Sequence, residues 1–311
     1  KIFRFFLFEF THLFEPKMTE QKAFINSRLS AAIHDALVHI SAWGGGIVNP
    51  NLKVLTGVAV LSATFAFSSL AYAETTLKTP IVDIDFEYSS GNFVIETGDN
   101  AAIQGGTSNI NIVVTGNGQD EQGNLVLTVD SAHGVQAELN DSSNIIATAE
   151  GDITITAVGT TSNTNGDGIN VASSNRGSLT FSAGNSLVIN AESKSGDGIY
   201  VGESSAGDIL ILANQDEQSA SLDNGIVINA ENNGVDHRGG QKVELDSKGG
   251  SNRIVTVSGD GLRNVGTGTI NLKGSANTIL AGDNGIQANG GRVTSKGDYN
   301  IIYGETNGIE N

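Results

Sequence analysis

From residue 125 onward the chain is written in short alternations of apolar and polar residues. Leu125, Leu127 and Val129 alternate with their neighbours, and Ile226, Ile228 and Ala230 would face one way with Val227 and Asn229 facing the other. That is the two-residue period of a β-strand. After residue 73 no window carries a convincing 3.6-residue apolar period, so helices are not expected.

One phrase recurs along this region: a glycine, then an aliphatic residue. It stands at Gly134-Val135, Gly168-Ile169, Gly198-Ile199, Gly225-Ile226, Gly261-Leu262, Gly285-Ile286 and Gly308-Ile309, with successive spacings of 34, 30, 27, 36, 24 and 23 residues. The residue before the glycine is usually Asp or Asn: Asp167, Asp197, Asn224, Asp260, Asn284 and Asn307. Asp/Asn-Gly pairs tolerate positive φ, which predicts tight corners. The late repeats resolve into three strands each, as in Ile270–Leu272, Thr278–Leu280 and Ile286–Ala288, with Asn252, Asn277 and Asn300 opening the middle strand of successive units. Three short strands, a corner between each and about 23 residues per cycle in the late repeats describe one turn of a triangular coil. A single turn cannot bury its inward aliphatics, whereas stacked turns pair in parallel and build a continuous core. Asn at equivalent positions can form ladders along the stack. The expected fold is therefore all-β: a single-stranded parallel β-helix solenoid, expected to be right-handed.

Residues 106–311 are read as the repeats and 74–105 as an N-terminal cap over the exposed strand edge. Two stretches, 160–166 and 231–241, look like insertions that protrude from the coil as loops. Such loops are where solenoids often carry function, and the plainer alternative is an ordinary surface loop.

Composition divides the chain at residue 73. Nine of the 12 Phe, the only Trp (Trp43) and the only Met (Met18) precede residue 74. Residues 1–73 carry six basic and four acidic side chains, against 11 and 30 in residues 74–311. No charge falls between Lys53 and Glu74; the run from Val54 to Phe67 is apolar and ends in Ala71-Tyr72-Ala73. A basic flank, a short apolar run and small residues at −3 and −1 predict a secretory signal peptide cleaved after Ala73. The competing reading is a membrane anchor, for which the run is short and diluted by Ser, Thr and Gly. Counted from Met18 the signal spans 18–73 and is unusually long; residues 1–17 read as an upstream or non-native segment, with an amphipathic membrane segment as the alternative.

Charge and chemistry then narrow the function. The net charge of −17 and a pI near 4.5 argue against nucleic acid as a partner. The absence of cysteine excludes disulfides, thiolate metal sites and a cysteine nucleophile. After residue 73 only His133 and His237 remain. His133 stands where other repeats carry Asp or Asn, which suits a corner residue. His237, between Asp236 and Arg238, is the one local constellation that could contact a ligand. Asp167, Asp197, Asp260 and Asp283 could stack and attract Ca²⁺ weakly, but their spacing is far from a nine-residue calcium repeat. Tyr200 falls on an outward strand position. No nucleophile elbow, zinc motif or phosphate loop is present. No residue is assigned as catalytic, cofactor-binding or metal-ligating, no cofactor is expected, and the chain is not read as an enzyme.

The Ala71-Tyr72-Ala73 signal end and the repeats from Gly134 to Ile309 together resemble the passenger regions of bacterial autotransporter or haemagglutinin-type adhesins, over roughly residues 74–311. The resemblance implies a rod exported through the periplasm and displayed on the Gram-negative cell surface or secreted. It would act in adhesion, cell aggregation or biofilm formation, with surface glycans or proteins of host or neighbouring cells as partners. It also implies a C-terminal translocator barrel, which is not in this sequence; the chain stops within a repeat at Asn311 and reads as an N-terminal fragment. The alternatives are a carbohydrate-active β-helix enzyme, a polysaccharide lyase or hydrolase, and a structural spacer with no ligand of its own.

Overall fold

A computed structural model describes residues 75–311 apart from 83–84, 89–90, 106–107, 117–122, 138–143, 160–165, 173–174 and 216–223. The expected signal segment, residues 18–73, and residues 1–17 lie outside the described residues.

Every strand belongs to one of three parallel sheets, and the chain visits the sheets in rotation. The first sheet is built from Thr75–Leu77, Phe93–Thr97, Leu125–Val129, Ile153–Ala157, Leu187–Ala191, Gly225–Ala230, Ser251–Thr256, Ala276–Ala281 and Tyr299–Gly304. The second holds Ile81–Val82, Ile103–Gln104, Val135–Ala137, Ile169–Val171, Ile199–Val201, Val235–His237, Leu262–Asn264, Asn284–Ala288 and Asn307–Glu310. The third holds Asp85–Tyr88, Ile110–Val114, Ile145–Ala149, Leu179–Ala183, Ile209–Leu212, Lys242–Asp246, Thr269–Lys273 and Arg292–Lys296. Each strand pairs with the strand one turn before and one turn after it, except those at the two ends of each sheet, which pair on one side. This is the parallel β-helix that the repeats predict, and each passage through the three sheets is one turn.

Register follows from the alternation. The inward rows of the first sheet align Ile95, Leu127, Ile155, Ile189, Ile228, Ile254, Ile279 and Ile302 across consecutive turns. From Ile95 to Ile279 these are fully buried, as are Ile169, Ile199, Leu179 and Ile209 on the other two sheets. Burying one such side chain is worth about 1.5–3 kcal/mol, and a one-residue slip would expose the whole row. In the first two turns the partly buried rings of Phe86 and Tyr88 pack against buried Phe93, with Phe86 stacked on Phe93 at a centroid distance of 4.4 Å.

The segment expected to cap the solenoid, 74–105, supplies strands of the same three sheets: Thr75–Leu77 pairs with Phe93–Thr97, and Ile81–Val82 with Ile103–Gln104. Its two second-sheet strands have only two residues each, too short to show alternation in the sequence.

Two expectations need correction. The stretch 231–241 is not a protruding insertion: Val235–His237 is the second-sheet strand of its turn, and Asp236 and His237 are buried. The glycine equivalent to Gly198 and Gly261 is accordingly Gly234, while Gly225 opens a first-sheet strand. The extra length lies instead between Leu212 and Gly225, where 216–223 is outside the described residues. Of the other predicted loop, only Gly166 is described.

The recurrent glycines are also present for a different reason from the one expected. Among the described residues, positive-φ glycines are Gly91, Gly159 and Gly249, and none belongs to the repeated phrase. A Cβ on Gly168 would lie 2.2 Å from Ile189 Cγ2 and 2.7 Å from Gly198 O, and Gly134, Gly198, Gly234, Gly261 and Gly285 meet the same pair of neighbours in their own turns. The glycine is selected by close approach of the next turn's isoleucine and backbone, a contact no larger residue permits.

Candidate functional site

The residue before each repeat glycine forms a hydrogen-bonded ladder at the corner between the first and second sheets. The backbone N–H of Asp197 donates to Asp167 Oδ1 (2.9 Å), that of Asn233 to Asp197 Oδ1 (2.9 Å), that of Asp260 to Asn233 Oδ1 (2.9 Å) and that of Asn284 to Asp260 Oδ1 (3.0 Å). Asn307 Nδ2 donates to Asn284 Oδ1 (2.9 Å). This explains why only Asp and Asn fit well: the rung needs a short side-chain oxygen that accepts the amide of the following turn. His133 is the first rung, accepting the Asp167 N–H on Nδ1 at 3.2 Å. Asp167 Oδ2 is also 3.2 Å from that nitrogen. The amide bond repeats the geometry of the other rungs, with Nδ1 as the acceptor.

Asp167, Asp197 and Asp260 are therefore stacked, as expected, but Asp283 is not in the row; Asn284 takes its rung. Two of the rungs, Asp167 and Asp197, are adjacent carboxylates, and both are buried. Asp197 is pushed up to about 7, by burial first and by the neighbouring Asp167 charge second. Burial also raises Asp260, against hydrogen bonds from Asn284.

The second constellation sits on the outward face of the second sheet. Parallel register places Tyr200 beside Asp236, and Asp236 beside Arg263. Asp236 Oδ2 receives Arg238 Nη2 at 2.7 Å and Nε at 3.0 Å, while Arg263 Nη1 reaches both carboxylate oxygens at 3.1 Å. Arg238 also lies over the Tyr200 ring, 5.3 Å from its centroid, a cation–π contact. The Asp236 side chain is 1% exposed and those of Arg238 and Arg263 are 36% and 29% exposed. The hydrogen bond from Arg238 to Asp236 raises the guanidinium's pKa further. Asp236 and Arg238 are legible in the sequence together, as the neighbours of His237, and Tyr200 separately; Arg263, one turn on, is the member the sequence does not point to. A register drawn through Val235 and Leu262 would have found it.

His237 points the other way. It occupies the inward row that carries Ala137, Val171 and Val201 in earlier turns, and its Nδ1 pairs with Asn264 Oδ1 at 2.9 Å. Burial lowers its pKa, and hydrogen bonding from Asn264 and Gln241 offsets only part of that. Neighbouring strand residues thus go to opposite sides of the wall, and His237 is not part of the Asp236–Arg238 cluster. Buried His237 Nε2 and Gln241 Oε1 both lack a well-formed hydrogen bond.

A third feature is internal. Asn252 Nδ2 donates to Asn277 Oδ1 (2.7 Å) and Asn277 Nδ2 to Asn300 Oδ1 (2.9 Å), each amide also reaching a backbone carbonyl, Lys273 O or Lys296 O. This is the ladder that the recurrent Asn predicts. Among the described residues no group of three or more His, Cys, Asp or Glu is arranged to hold a metal ion. No protein family, curated protein or solved structure matches the chain.

Proposed function

We propose that this chain is part of an exported, surface-displayed β-helical rod of the autotransporter or haemagglutinin passenger type, acting in adhesion, aggregation or biofilm formation. The observation that carries the reading is the parallel coil formed by the described residues, in which each turn pairs only with its neighbours. A chain of that kind can fold turn by turn from one end as it emerges, and needs no disulfide to do so. The apolar run ending in Ala71-Tyr72-Ala73 supplies the export signal, and the acidic exterior suits a solvated rod. Cell-surface glycans or proteins are the proposed partners, met through the outward rows and corners.

The setting of Asp236 supports binding or scaffolding over polysaccharide cleavage. Both of its oxygens are held by guanidiniums, which leaves no free carboxylate for acid–base work at that cluster.

Expression of the gene in a Gram-negative host tests the reading. The expected result is a product beginning at Glu74, accessible to protease on intact cells, and increased cell–cell or cell–matrix attachment. Retention of an unprocessed chain in the cytoplasm would overturn it.

A further inference from the structure

The corner ladder contains one irregular step. Along the row His133, Asp167, Asp197, Asn233, Asp260, Asn284, Asn307, Asp260 stands between two neutral amides, whereas Asp167 and Asp197 are each other's neighbours, with His133 before them and Asn233 after. Those two side chains are 2% and 5% exposed as residues and belong to consecutive turns, one strand spacing apart. Their hydrogen bonds are directed and one-sided. Asp167 Oδ1 takes the Asp197 amide and its Oδ2 takes Asn170 Nδ2 at 2.6 Å. Asp197 Oδ1 takes the Asn233 amide and the side-chain amides of Asn232 and Asn233, all at 2.9 Å.

The charged groups that face the pair do not neutralise it. His133 meets Asp167 through a nitrogen that accepts. Tyr200 and Asp236 add no positive charge, and Arg238, whose charge also feels Asp197, gives its hydrogen bonds to Asp236. Two adjacent buried carboxylates without a cation of their own cannot both ionise cheaply.

We propose that the Asp167–Asp197 step is a proton-binding site in which Asp197, set beside a second buried carboxylate, carries the proton, and that this proton couples the stability of the middle turns to the pH of the medium. The elevated value for Asp197 agrees with this. The sign follows from linkage. The folded pair holds its proton to higher pH than the unfolded chain does, so the stabilisation is full below the unfolded value of 3.8 and is lost as pH rises through about 7. The coil is thus tighter in mildly acidic than in alkaline surroundings. The inference stands on the ladder geometry and does not depend on where the protein is displayed.

Thermal unfolding of the full 311-residue chain tests it, compared with Asp197→Asn and with Asp260→Asn, whose rung neighbours are both amides already. Asn occupies the same rung at 233, 284 and 307, so the substitution keeps the acceptor and removes the charge. The wild type is expected to melt roughly 5 °C higher at pH 5.5 than at pH 8.5 from this site. Asp197→Asn should raise the alkaline Tm and remove that increment, whereas Asp260→Asn should leave most of it. An Asp197→Asn profile parallel to wild type would overturn the proposal. Carboxyl-carbon NMR titration gives a second reading that does not depend on the unfolding transition. One aspartate should titrate near neutrality, disappear in Asp197→Asn and move toward acid in Asp167→Asn; titration of every aspartate in the ordinary range would also sink it.

Discussion

The turns up to Ala230 and the turns after Ser251 share one backbone but differ inside. In the first-sheet row that begins at Phe93, the inward residues are Phe93, Leu125, Ile153, Leu187 and Ile226, and then Asn252, Asn277 and Asn300. The second sheet changes in the same place, from Ala137, Val171 and Val201 to His237 and Asn264. Aliphatic stacks are non-directional and tolerate small shifts of one turn over the next. Amide ladders are directional, so each Asn bonds one partner at one height. The late turns keep their buried aliphatics, such as Ile254, Leu272 and Ile279, and add a directional ladder that the early turns lack in this row, and the same pairing of strands accommodates both.

Removing volume in the early region should have the largest effect. Ile189→Ala, in a fully buried row against Gly168, is expected to cost about 2–5 kcal/mol in urea unfolding. A loss below about 1 kcal/mol would mean that the aliphatic stack is not what holds these turns. In the late region Asn277→Leu removes both ladder bonds but keeps comparable bulk. It should cost about 1–3 kcal/mol, because the Asn252 and Asn300 amides lose a buried partner. Replacing all three Asn by Leu together should recover much of that loss. If the triple variant is instead worse than the single one, register and not amide satisfaction is what the ladder contributes.

Gly234→Ala probes what is common to both regions. Its Cβ would lie 2.3 Å from Ile254 Cγ2 and 2.5 Å from Gly261 O, so about 1–3 kcal/mol of overpacking strain is expected, with a lower midpoint at unchanged denaturant slope. The smallest effect concerns pH. Burial lowers the His237 pKa, so the unfolded chain takes up its proton first. Stability from this residue is present above the unfolded value of 6.5 and is lost as pH falls through the depressed folded value. His237→Asn should flatten the acid limb of a stability profile. The opposite sign to Asp197 means that the two substitutions separate the acid and alkaline limbs, and identical responses would break the distinction between the turns.

Much of this was legible in the residues. The strand alternation at Ile226–Ala230, the three strands of the late repeats and the Asn252–Asn277–Asn300 ladder all follow from spacing. The stretch 231–241 was not legible, because Glu-Asn-Asn-Gly-Val-Asp-His-Arg carries one aliphatic and reads as loop. Its strand exists because turns on both sides impose the pairing of Val235 with Ile199 and Leu262. The glycine phrase was seen but misread, since a requirement for empty space and a requirement for positive φ look identical in a sequence.

Sequence alone determined the repeat, the period-two strands, the inward aliphatic rows and the Asp/Asn-Gly rungs, because each depends on local chemistry repeated at a readable interval. Tertiary structure decided which residues become neighbours across turns. Unequal turn lengths hide that register from any fixed spacing, so Arg263 meets Asp236, Asn233 takes the rung between Asp197 and Asp260, and His237 turns inward only once the coil is stacked. Arg238 pairs with Asp236 along the chain, whereas Arg263–Asp236 and Lys273–Glu244 join successive turns, perpendicular to the direction in which the sequence is read.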